Sequence, residues 1–212
     1  DGEYLRVAHF TEPIVSKLNT DGEIIGVYDT GESPGGIFRD GDEIWVANGM
    51  SNFISKISRD TGETLAEYPV GGGEMPGPYA MEFDGKNLWV ANYFENTLER
   101  LNLNGEVIQT INPGFDPVSI VYDGKNLWVV SFDEKKISRL DLSGKVEGEL
   151  TLGGGPWAIS HDGNNLWVAD STQPKIWRIS NIYGDMEEPA PIKDKYYDLD
   201  EIDSLPNIIS TE

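Results

Sequence analysis

Apolar residues in this chain fall in short alternating runs, such as "EIIGVYD" (23–29) and "EVIQTIN" (106–112), each bounded by Gly, Asn, Asp or Pro. Alternation with period two predicts half-buried strands. Other runs are continuously apolar: "DEIWVAN" (42–48), "KNLWVAN" (86–92), "KNLWVVS" (125–131) and "NNLWVAD" (164–170). They place Trp at 45, 89, 128 and 167, at separations of 44, 39 and 39 residues. Twelve residues after each Trp stands an aliphatic side chain, Ile57, Leu101, Leu140 and Ile179. A fifth copy opens the chain, where "YLRVAHF" puts Arg6 at the Trp position and Leu18 follows twelve residues later.

Each unit also carries a Gly turn ("TDGE", "DTGE", "LNGE", "LSGK") and a Pro three residues before an aliphatic: Pro34/Ile37, Pro78/Met81, Pro117/Ile120 and Pro156/Ile159. "DGKN" or "DGNN" between two runs predicts a tight hairpin. Four strands in a unit of about 40 residues is the pattern of a β-propeller blade. "PNIIS" (206–210) repeats the spacing of "PWAIS" (156–160), and the end written before the beginning, "PNIISTE-DGEYLRVAH", aligns with "PWAISHDGNNLWVAD" without a gap. The expectation is an all-β, five-bladed propeller of four-stranded blades forming a single domain over 1–212, closed by a C-terminal strand that completes the N-terminal blade. The blades are expected at 34–70, 78–112, 117–152, 156–200, and 206–212 plus 3–29. Closure of this kind removes open strand edges. From Gly184 to Pro206 the spacing is ten residues longer than from Gly22 to Pro34, Gly105 to Pro117 or Gly144 to Pro156, which predicts a loop between third and outer strands on the face opposite the channel mouth.

Charge narrows the range of partners. With 16 Lys+Arg against 37 Asp+Glu the net charge is −21, which disfavours nucleic acid and anionic membrane surfaces as partners. No apolar run is long enough for a transmembrane helix, so no membrane insertion is expected. The absence of Cys excludes disulfides and thiolate chemistry. The chain begins with Asp1 rather than Met, which suggests a processed form and an expected secreted, periplasmic or cell-surface location.

"KISRLDLSGKVEGELTLGGGPWAISHDG" (136–163), with "LWVAN" before it, resembles the repeats of YVTN- and NHL-type propellers and of the virginiamycin B (streptogramin) lyase group. That resemblance covers nearly the whole chain except 185–200. It implies the fold, but such repeats serve binding modules and enzymes alike. Catalysis in the lyase group is associated with histidines and magnesium, whereas this chain has only His9 and His161, expected toward opposite faces.

Propeller ligands bind where loops meet around the channel mouth. Inner-strand first residues there are Gly35, Tyr79, Val118, Trp157 and Asn207. Second-strand ends bring His9-Phe10, Asn48-Gly49-Met50, Asn92-Tyr93-Phe94, Ser131-Phe132-Asp133 and Asp170-Ser171. Recurrence assigns the four Trp to packing between blades, and Asn48 and Asn92 have turn stabilisation as a competing role. Tyr79 and Trp157 do not recur, and neither does Glu74 in the inserted loop "GGGEMPGP". The expected ligand-binding set is therefore Tyr79, Trp157, Phe94, Phe132, Met50, Glu74 and His9, facing a protein partner or a small molecule, sugar or aromatic. No cofactor is required by this reading. Asn48, Asn92 and Asp170 form an all-oxygen set that suits Ca or Mg. The preferred function is a non-enzymatic, extracellular binding module, with a metal-assisted lyase or lactonase using the same face as the alternative.

Overall fold

A computed structural model describes residues 4–73, 77–180 and 182, which form strands and turns with no helix among them. The first sheet holds β1 (Leu5–His9), β2 (Ile14–Leu18) and β3 (Ile24–Asp29). The second runs β4 (Pro34–Asp40), β5 (Glu43–Asn48), β6 (Phe53–Ser58), β7 (Thr64–Pro69). In the third, β8 (Pro78–Phe83), β9 (Leu88–Asn92), β10 (Thr97–Leu101) and β11 (Val107–Ile111) follow one another. The fourth repeats this order with β12 (Pro117–Tyr122), β13 (Leu127–Ser131), β14 (Lys136–Leu140) and β15 (Val146–Thr151). The fifth holds β16 (Pro156–His161), β17 (Leu166–Asp170) and β18 (Ile176–Ile179). All pairings are antiparallel between sequential strands, as short turns require.

These five sheets are the blades of a propeller ring. β4 lies against β8, β8 against β12 and β12 against β16, so these inner strands line one axis, and β1 of the first blade lies against β4. The expected inner strand of the N-terminal blade (206–212), the long connection (184–206), and Glu74 and Asn207 lie outside the described residues.

The continuously apolar runs are the second strands of the blades, and β5, β9 and β13 are buried almost throughout because a blade covers each side. Trp45 packs with Met81, Leu88 and Val90 of the next blade, Trp89 with Ile120 and Leu127, and Trp128 with Leu166 and Val168. These three Trp are the large fillers of their inter-blade cores, whereas Trp167 of the fifth blade is only half-buried, a departure from the packing role expected of all four. The core between the first two blades is built from Val15, Ile44, Val46 and Ile57. Each of the four second-strand Trp also faces a cation across the strand pair: Lys56 on Trp45, Arg100 on Trp89, Arg139 on Trp128 and Arg178 on Trp167, at 4.9–5.9 Å from the ring centroid. The long cation stem covers the indole and keeps its charged head near water.

The "DG" hairpins supply the indole's other partner. Gly85, Gly124 and Gly163 have φ between +90° and +96° at the first central position of two-residue turns, where an L side chain is strained. The preceding Asp84, Asp123 and Asp162 each accept the Trp Nε1 hydrogen at 2.7–2.8 Å and two turn N–H groups besides. In the second blade the turn is "DGDE"; Glu43 pairs with Lys56 there, and Trp45 Nε1 is buried without a partner, stacked 5.2 Å from the Tyr68 ring.

Candidate functional site

One face of the ring is built from the β1–β2, β5–β6, β9–β10, β13–β14 and β17–β18 turns and from the connections that enter each inner strand. The two loop sets are stitched together blade by blade. Gly49 N donates to Ser33 O (2.9 Å), Met50 N to Glu32 O (3.1 Å), Tyr93 N to Gly77 O (2.7 Å) and Ser171 N to Gly155 O (2.9 Å). In the fourth blade a side chain replaces the carbonyl: the Asp116 carboxylate accepts Phe132 N, Asp133 N and the Ser131 hydroxyl at 3.1, 3.0 and 2.6 Å. In the third blade Glu95 and Glu99 receive the N–H groups of Gly71, Gly72 and Gly73. Loops fixed at this many points present their side chains in defined positions.

Those side chains are mostly aromatic. Tyr79 stands at the centre, with ring centroids 6.0 Å from Phe10, 5.4 Å from Tyr93, 5.8 Å from Phe94 and 6.3 Å from Trp157. Trp157 extends the cluster to Phe132 at 5.5 Å, edge to face. Phe10 belongs to the first blade, Tyr79 to the third and Trp157 to the fifth, so these contacts cross the ring axis and cap the channel. β4 makes room for this: a Cβ at Gly35, the position equivalent to Tyr79, would lie 2.8 Å from the Tyr79 carbonyl oxygen. The cluster is not sealed in a core, for Phe10 is 51% exposed, Met50 47%, and Phe94 and Trp157 38% each. Burial pushes the Tyr79 hydroxyl pKa up, and burial with the charges of Asp133 and Asp116 does the same at Tyr93. Both therefore remain neutral hydrogen-bonding groups at physiological pH.

Of the residues expected from the sequence, Tyr79, Trp157, Phe94, Phe132 and Met50 lie on this face. Phe10 and Tyr93 join them as direct neighbours of the strand ends His9 and Asn92. His9 ends β1 at the same edge, but its Nε2 is 2.8 Å from Ser16 Oγ, a contact within the blade. His161 ends β16 at the hairpin, toward the other face. The Asn48 amide donates to Phe53 O (3.2 Å) and Ser55 Oγ (2.9 Å), and that of Asn92 to Thr97 Oγ1 (3.2 Å); both residues are fully buried. Their Oδ1 atoms are buried without a partner in the structure. Burial pushes Asp170 up, but hydrogen bonds from Thr172, Gly155 and Gln173 outweigh it and hold the carboxyl below its usual range. Asn48, Asn92 and Asp170 thus each serve their own blade, two as neutral amides and one as a carboxylate already saturated with N–H donors. The bonds that these side chains make are those of turn stabilisation. Among the described residues no three Asp, Glu or His side chains converge.

Neither a protein-family model nor a curated protein matches this chain. Solved structures do. A catalytically inactive virginiamycin B lyase from Staphylococcus aureus with quinupristin superposes with a TM-score of 0.72 at 24% identity, over 90% of this chain and 67% of the other. The fold is a β-propeller similar to that of the virginiamycin B lyases. A selenomethionine-substituted lyase from the same organism gives 0.70 at 23% identity, and a streptogramin B lyase gives 0.71 at 23%. This chain spans 62–67% of the length of these lyases. At such identities the likeness concerns the scaffold, and chemistry has to be argued from the site.

Proposed function

We propose that this propeller is a binding module of the secreted or cell-surface kind that takes a small apolar ligand, or an apolar side chain of a protein partner, on its aromatic mouth. The observation that carries this reading is the cross-axis ring cluster centred on Tyr79, with Phe10, Phe94 and Trp157 left a third to a half exposed. Large flat apolar surfaces on rigid loops bind with little entropy loss, and a solvated aromatic patch unconnected to function is unusual. The lyase alternative has less support, because His9 and His161, the two histidines of the chain, stand at opposite ends of their blades.

The test uses indole as a neutral aromatic probe, followed by NMR of the Trp Nε1 protons. Trp157 is the mouth reporter, whereas Trp45, Trp89 and Trp128 are buried. Indole should shift the Trp157 signal saturably and leave those three unmoved, and Tyr79→Ala should weaken the effect by roughly 2 kcal/mol or more. Shifts spread evenly over the surface, or none, would refute the reading. Incubation with quinupristin, with and without EDTA and monitored by mass spectrometry, tests the lyase alternative: EDTA-sensitive conversion would place the function there.

A further inference from the structure

Resting on the aromatic-mouth reading, we infer that the mouth selects small organic ammonium ions over neutral ligands of the same shape, through a recess between the first two blades. That recess, of about 420 Å³, is lined by Phe10, Thr11, Glu12, Pro13, Glu32 and Ser33. Its volume suits a small ligand. Phe10 presents an exposed ring that leads into the central cluster through Tyr79. Glu12 and Glu32 are exposed, and neither carboxylate takes part in a salt bridge or hydrogen bond among the described residues, in contrast to Glu95, Asp116 and Asp170 on the same face. No Lys, Arg or His lines the recess.

The backbone of both acidic residues is fixed. Glu12 sits in a turn closed by Glu12 N to His9 O (3.0 Å) and Ile14 N to Glu12 O (2.7 Å). Glu32 is pinned at both ends, its N–H donating to Ser51 Oγ (3.1 Å) and its carbonyl accepting Met50 N (3.1 Å). Ser33, next in the lining, has a left-handed φ of 53°. That conformation costs about 1–2 kcal/mol in a non-glycine residue. It is what turns the carbonyls of Glu32 and Ser33 toward the neighbouring loop while the chain enters Pro34. An aromatic face and two unneutralised carboxylates, brought to one recess by two separate connections, suit a charge that is spread over methyl groups. The ring quadrupole attracts such a cation and the carboxylates oppose its loss to water. The −21 net charge adds a long-range attraction of the same sign. An inorganic cation is not the match, since two carboxylates beside an apolar ring supply too few oxygens to replace its hydration shell.

The probes are choline and its neutral isostere 3,3-dimethyl-1-butanol, titrated into the intact chain at low ionic strength and read by backbone amide NMR. Choline should shift the amides of Phe10, Glu12 and Glu32 and bind at least fivefold more tightly than the alcohol, with the preference shrinking as salt is raised. The double variant Glu12→Gln/Glu32→Gln, both exposed positions, should bring the two affinities together and leave that of the alcohol unchanged. Equal affinities in the parent chain would overturn the charge selectivity while leaving the aromatic mouth intact if indole still shifts Trp157. If choline moved only amides remote from the recess, the site itself would be wrong. A Lys-containing peptide that outcompetes choline at the same amides would replace the small-molecule occupant with a protein side chain, and so overturn the proposal as stated.

Discussion

Glu82 shows how one side chain can set a property of the fold apart from the site. It lies half-buried on inner strand β8 opposite Trp89, and burial pushes its pKa up to about 7 despite a hydrogen bond from the Tyr122 backbone. The folded chain keeps this proton up to about pH 7, whereas the unfolded chain releases it near the ordinary glutamate value of 4.5. Unfolding therefore releases a proton throughout that window, and stability falls as pH rises from about 4.5 to 7, then levels off. Allowing for partial exposure, the loss is of the order of 2 kcal/mol. Urea denaturation at pH 5, 6 and 8 should show this decline in the parent and a smaller one in Glu82→Gln. Parallel profiles would mean that Glu82 ionises freely in the fold. Nothing in the sequence marks this residue, because "PYAMEF" reads as an ordinary strand and the burial of Glu82 depends on the adjacent blade.

At the scale of the element, the hairpins carry much of the repeat's stability. Asp123 accepts Trp128 Nε1, Lys125 N and Asn126 N, so Asp123→Ala leaves a buried indole N–H and two turn amides without their acceptor. The expected cost is about 2–3 kcal/mol by urea denaturation. Asp40 occupies the same place in the second blade, but Trp45 Nε1 has no partner there, so Asp40→Ala should cost less than about 1 kcal/mol. Similar losses at both positions would show that the indole contact is not what matters. The strands, their order and the hairpins were legible because period-two alternation and Asp-Gly turns are local signals that repeat. The placing of Tyr79, Trp157 and Phe132 on one face followed from the same register. That Asn48 and Asn92 turn their amides inward was not legible, since an Asn after a strand reads equally as turn stabiliser or ligand. The free carboxylates of Glu12 and Glu32 were equally hidden, because only the folded loops reveal which acids lack donors.

For the molecule as a whole, the open question of the ring is its seam. Within the described residues β1 is the edge of a three-stranded sheet, with Leu5 62% and Val7 42% exposed. The in-phase "PNIIS" at 206–210 is the segment expected to pair with it. Deleting 205–212 should expose an apolar edge and abolish cooperative thermal unfolding, as followed by calorimetry. A truncated chain that melted like the parent would exclude that strand from the ring.

Tyr79 bears on the seam from another direction. Its ring touches Phe10 of the first blade and Trp157 of the last, so one side chain from the opposite side of the ring holds both flanks of the join. Occupancy of the mouth and integrity of the ring are then thermodynamically linked. Any guest that settles among these rings binds the closed circle and not the opened one, and by mass action it shifts the balance away from parted first and last blades. The guest would act as a clasp, and the stability of the fold would report its concentration.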